Sequence, residues 1–196
     1  MGERAATAVV VAAFDAAGDA AVVRLMDRVG ARTPPRHRPH LTLGAVRLPE
    51  DRLGEVTDLA AAVAAGAAPF RLELASAGIF PPGVLWLGPR PGPELRGLQA
   101  AVDAALAAAG HGRAFGDQAD PDHWVAHCTL ATRLDPPALG RAVTALTSGF
   151  HPVRTRVAAL ATLLVGGRGD VALAPLTGGT GATGATAPRP AASGPG

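Results

Sequence analysis

One tetrad occurs twice in this chain, and it limits the possible folds more than any other feature. His40-Leu41-Thr42-Leu43 stands in the first half and His127-Cys128-Thr129-Leu130 in the second, 87 residues apart. Both lie in β-prone stretches. In a strand, residues i and i+2 share a face. His40 and Thr42 therefore point one way while Leu41 and Leu43 point into a core. His127 and Thr129 likewise oppose Cys128 and Leu130. Two such strands at matching places call for two halves built alike. If a pseudo-twofold relates the halves, both His-Thr faces line one cleft.

The rest of the pattern fits that duplication. Residues 7–14, centred on Val9, Val10 and Val11, read as a strand, and 15–19 with Gly18 as a turn. Val22, Leu25, Met26 and Val29 recur at helical spacing over 20–29, before Gly30. Pro34, Pro35 and Pro39 make the approach to the first tetrad an extended loop. Strand 40–44, a helix over 50–65, and strands 70–74 and 84–87 follow. The second half reads helix 93–109, polar loop 110–122, strand 124–131, helix 136–148, strand 153–165 and strand 171–176. Residues 166–170 form the last hairpin connection. The predicted class is α+β: two pseudo-symmetric lobes of largely antiparallel sheet with packed helices around a central cleft. They occupy 1–176. Residues 177–196 carry no large apolar group and are expected to be disordered.

Composition narrows the function classes. All 18 basic residues are Arg, and 16 acids leave a net charge of +2, too little for a wholesale nucleic-acid coat. A single cysteine rules out an internal disulfide framework and any cysteine-only metal site. No clean apolar span of membrane length is present. The expectation is a cytoplasmic monomer that needs no membrane.

Two imidazoles and two hydroxyls around one centre suit a phosphodiester. Histidine exchanges protons near neutrality. One ring can activate an attacking hydroxyl or water, and the other can protonate the departing oxygen. Thr42 and Thr129 can donate to the non-bridging phosphate oxygens, where transition-state charge collects. No metal or other cofactor is required. Arg133 follows the second tetrad and is a candidate phosphate contact. Six arginines and a single acid lie from Arg24 to Arg47, a patch that can steer a phosphate-bearing substrate, and Arg38, beside the first tetrad, is a candidate substrate contact. Phe80, like Trp86, is a candidate for stacking on a base or for core packing. His123 and His127, with His40, give a competing zinc-like reading.

Pro39-His40-Leu41-Thr42-Leu43-Gly44, His127-Cys128-Thr129-Leu130-Ala131, and Gly78-Ile79-Phe80 followed by Val84-Leu85-Trp86-Leu87-Gly88 together resemble the 2H phosphoesterase superfamily, also called the 2'-5' RNA ligase family. The resemblance covers about residues 5–176. It implies a bilobal fold with His40 and His127 as catalytic pair and Thr42 and Thr129 as phosphate binders. It also implies hydrolysis of an RNA-terminal 2',3'-cyclic phosphate to a 2'-phosphate, with reversible 2'-5' ligation as an associated activity. Ala126 and Thr132 depart from the family's usual Pro and basic residue. A cyclic phosphodiesterase of small nucleotides is the alternative enzyme. A binding module for RNA or nucleotide without turnover is the alternative from another class.

Overall fold

A computed structural model of the chain describes residues 5–30, 37–115, 123–167 and 169–178. The elements run β1 (Ala5–Phe14), α1 (Ala16–Arg28), β2 (His40–Pro49), a 3-10 turn (Glu50–Arg52), α2 (Leu53–Gly66), β3 (Phe70–Phe80), β4 (Val84–Pro89), α3 (Pro93–Ala108), β5 (Cys128–Ala131), α4 (Pro136–Thr147), β6 (Val153–Leu164) and β7 (Ala172–Pro175). Order and type follow the sequence pattern, and several boundaries differ. The expected turn over 15–19 is instead the start of α1. Asp15 caps that helix by accepting from the Gly18 amide at 2.8 Å, so the glycine is helical. β2 and β3 outrun their alternation, to Pro49 and Phe80. β5 is shorter than expected and begins at Cys128, leaving Trp124 to His127 ahead of it. Asp135 caps α4 through the Ala138 amide, with Pro136 and Pro137 supplying a first turn that needs no amide donors.

The strands form an antiparallel sheet in the order β2-β1-β6-β3-β4-β5. β6 is the strand common to both halves. One of its edges pairs with β1. The other carries β3 along Val153–Val157 and then β7 along Ala159–Thr162. Bulges interrupt β1 against β2 at Val10/Val11 and β1 against β6 at Ala13/Phe14. Such extra residues bend and twist a sheet locally.

One face of the sheet carries the helices. Val10, Leu41, Leu43, Leu85, Leu87 and Leu160 pack there with Val22, Val56, Val102 and Leu146 in a core of mostly Ala, Val and Leu. The opposite face holds a smaller cluster of Val9, Val11, Ala13, Ala45, Ala159, Ala161 and Leu163. Part of the long loop lies over it: the Ala114 amide donates to the Ala45 carbonyl at 2.8 Å. Of the expected disordered tail, the Thr177 and Gly178 amides donate to the Ala64 and Ala67 carbonyls at the end of α2. Residues 179–196 lie outside the described residues. No described helix is long and apolar enough to cross a membrane.

Candidate active site

β2 and β5, which carry the tetrads, are the two ends of the strand order, yet they meet. The indole N–H of Trp124, four residues before Cys128, donates to the Thr42 carbonyl at 2.9 Å. The Cys128 thiol lies against the backbone of His40. The sheet thus curls until its edges adjoin, and the two tetrads come side by side. Alternation holds as expected. Leu41, Leu43, Cys128 and Leu130 are buried, whereas His40, Thr42, His127 and Thr129 remain half-buried. Burial also pushes the Cys128 thiol up to about 12, so it stays protonated and packs as a small apolar group.

The histidines are held in the same way. His40 Nδ1 lies 2.7 Å from the Arg38 carbonyl oxygen, and His127 Nδ1 lies 2.8 Å from that of Val125. A carbonyl only accepts, so each Nδ1 carries the proton and donates to the residue two positions back. Each Nε2 is left with its lone pair for other work. Burial pushes the His40 imidazole below its ordinary value, against the pull of the Arg38 carbonyl. Charge on His37 and on His127 pushes it lower still, which is the electrostatic mark of the two tetrads lying close together. Neither Thr42 nor Thr129 uses its hydroxyl in a hydrogen bond among the described residues.

An aromatic wall stands beside His127. Phe80 meets its ring edge to face, with centroids 4.8 Å apart, and packs against Trp86 at 5.1 Å. Trp86 lies opposite Thr129 on one side and Gly78 on the other. A Cβ on Gly78 would overlap the indole, so the missing side chain is what lets Trp86 lie across β3. Phe80, read from sequence as a candidate for base stacking, is thus a half-buried neighbour of the second histidine.

The two arginine candidates are placed differently. The Arg38 guanidinium donates to the Asp19 carboxylate through Nε (3.2 Å) and Nη2 (2.7 Å), and Asp170 lies 3.7 Å away. Its side chain is tied to these carboxylates, while its carbonyl orients His40. Arg38→Ala leaves a half-buried Asp19 without its cation and frees the backbone that fixes His40. It is expected to cost about 2 kcal/mol of stability and to lower kcat more than it raises KM. Denaturant titration and steady-state kinetics check both. Arg133 is exposed, follows the last residue of β5 by two, and has φ of 58°. That left-handed backbone, rather than strand alternation, sets its direction. Arg133→Gly relieves about 1 kcal/mol of conformational cost. It is therefore expected to raise the unfolding midpoint while weakening any anion contact the guanidinium makes.

Among the described residues no group of three His, Cys, Asp or Glu side chains is placed to hold a metal ion. Sequence reading missed the Trp124 bond to Thr42 and the Asp19 pairing with Arg38. Both join residues from different elements, and no local pattern signals such a pairing.

No curated protein sequence matches the chain. Solved structures do. One is TT0787 of Thermus thermophilus, at 21% identity and a TM-score of 0.61, covering 88% of this chain and 98% of that one. Another is E. coli LigT complexed with 3'-AMP, at 17% identity and 0.60, covering 89% and 99%. A third, described as a phosphoesterase, is 16% identical with a TM-score of 0.58 and covers 89% and 99%. At such identities the likeness establishes the α+β fold. The sequence model of the 2'-5' RNA ligase superfamily matches residues 14–169, most of the chain. With the paired His-x-Thr-Leu tetrads in that span, the chain belongs to the 2'-5' RNA ligase, or 2H phosphoesterase, superfamily.

Proposed function

We propose that this protein hydrolyses a 2',3'-cyclic phosphate at an RNA end to a 2'-phosphate, with His40 and His127 as general base and acid. The observation that carries the reading is the pair of imidazoles. They come from opposite ends of one sheet, each donates Nδ1–H to the carbonyl two residues back, and neither Nε2 has a hydrogen-bond partner among the described residues. Water attacks phosphorus and gives its proton to His40 Nε2. The P–O3' bond breaks, and protonated His127 delivers its Nε2 proton to O3'. Thr42 and Thr129 donate to the non-bridging oxygens as negative charge builds there. His40 takes the base role because burial favours its neutral form. With an RNA 5'-hydroxyl in place of water, the same steps form a 2'-5' linkage. The LigT structures with 3'-AMP, NADP+ and ATP support the reading, since a protein of this fold accommodates nucleotides.

The test is incubation with cyclic-phosphate-ended oligonucleotides and with 2',3'-cyclic mononucleotides, each with and without chelator. Formation of a 2'-phosphate with chelator present is the expected result. Turnover of mononucleotides alone would favour the small-nucleotide reading. Binding without turnover would make the protein a recognition module, and loss of activity on chelation would replace the two-histidine scheme.

The pH profile follows from His40. A histidine whose pKa is lowered stays neutral, and so basic, further into acid. The acid limb of kcat/KM is therefore expected to fall below the ordinary histidine value of about 6.5. A limb at or above that value would take the base role away from His40.

A further inference from the structure

We propose that Arg154 and Arg156 on β6, with Arg71 on β3, form a track for the backbone phosphates of an RNA strand whose cyclic end sits between the tetrads. The inference rests on the hydrolase reading above and adds the requirement that the substrate be a strand rather than a single nucleotide.

Strand register places the track. Ala13 lies opposite His40 on one side and opposite Ala159 on the other, so all three share a face. Phe14 lies opposite Val157, and both belong to the helix-covered core. Arg156 is the next residue along β6 and points to the other face, that of His40. Arg154 does the same. Arg71 is directly opposite Arg156, and Glu73 directly opposite Arg154. Two strand spacings across and two or three residues along put Arg156 roughly 12–15 Å from His40. That is beyond a mononucleotide held at the histidines but within reach of phosphates upstream of a strand's end.

The charges are arranged for an anion. Arg71 and Arg156 are like charges directly opposed across a strand pair, an unfavourable arrangement. Both are exposed, and neither makes an ion pair with a described residue. Glu73, the carboxylate directly opposite Arg154, is already shared by Arg90 at 2.6 Å and Arg154 at 3.8 Å. Asp15 is occupied in accepting from the Gly18 amide and the Thr155 hydroxyl. Glu94, in the first turn of α3, is the third acid among the described residues that line the cavity. These residues line an open cavity of about 640 Å³ to which none of the four tetrad residues contributes. Phosphate oxygens there relieve the Arg71–Arg156 repulsion instead of competing with an existing partner.

The experiment compares a cyclic-phosphate-ended RNA octamer with a 2',3'-cyclic mononucleotide as substrates of the full chain and of Arg71→Glu/Arg156→Glu. The expected result is a tenfold or greater fall in kcat/KM for the octamer, unchanged mononucleotide turnover, and a clearly shallower salt dependence for the octamer. Equal effects on both substrates, or none on the octamer, would overturn the track. Arg71→Gln/Arg156→Gln guards against misfolding: its unfolding midpoint should be no lower than that of the parent, with an intermediate octamer defect. If neither substrate is turned over, the hydrolase reading fails and the track is judged by fluorescence anisotropy with a labelled 3'-phosphate octamer. Weaker binding by the variants then upholds it, and equal binding rejects it.

Discussion

His40→Ala and His127→Ala are each expected to lower kcat by about 10²–10⁴-fold, the usual contribution of a positioned proton donor or acceptor. The reason is specific to the geometry. Each ring commits Nδ1–H to a backbone carbonyl, so Nε2 is the single nitrogen left for the substrate. KM should change little, because the threonine hydroxyls that would hold the phosphate remain. The double variant should be scarcely worse than either single one, since base and acid serve one displacement and removing either disables it. His→Gln in place of His→Ala keeps polarity but not titration and should not restore turnover. Single-turnover measurements, which isolate chemistry from product release, provide the check. Near-normal turnover in either variant would remove the pair as the catalytic device. Thr42→Ala and Thr129→Ala belong to the same test at smaller scale, each with an expected loss approaching 10²-fold in kcat.

The tetrads were legible in the sequence because strand alternation is local. Leu41 and Leu43 are buried and His40 and Thr42 are not, as period two requires. His127 was legible even though it stands one residue ahead of β5, because the extended chain already alternates there. The meeting of β2 with β5 was not legible. It follows from the curl of a six-strand path with bulges at Val10/Val11 and Ala13/Phe14, and no residue signals such a bulge within its own neighbourhood. Arg38 shows the same limit in another way. Its position two residues before His40 suggested a substrate contact, but its side chain is claimed by Asp19, a carboxylate from a separate helix. Register is what sets Arg156 on the same face of the sheet as His40. In sequence it is merely one of two arginines alternating with buried residues near the start of a strand.

Gly18→Ala is expected to destabilise the fold, although helix propensity alone says the opposite. Alanine is worth about 1 kcal/mol more than glycine in a helix interior. At this position, however, a Cβ would overlap both Oγ1 and Cβ of Thr155 on β6, the strand common to both halves of the sheet. Thr155 is buried and makes a second contact, donating its hydroxyl to Asp15, which in turn caps the Gly18 amide at 2.8 Å. To admit the methyl, α1 must lift from the sheet. Overpacking costs about 1–3 kcal/mol, and loss of the cap adds about 1 kcal/mol. Against the propensity gain, the net expectation is a loss of about 2 kcal/mol, or about 4–8 °C in Tm for a chain of this length. A second substitution separates this mechanism from a general intolerance of change. Thr155→Ala removes Oγ1 but leaves a Cβ in the way, so Gly18→Ala/Thr155→Ala should recover little. Thr155→Gly removes the obstruction, so Gly18→Ala should cost much less in that background than in the parent. Equal penalties in all three backgrounds would show that helix–sheet contact at Thr155 is not what requires a glycine here.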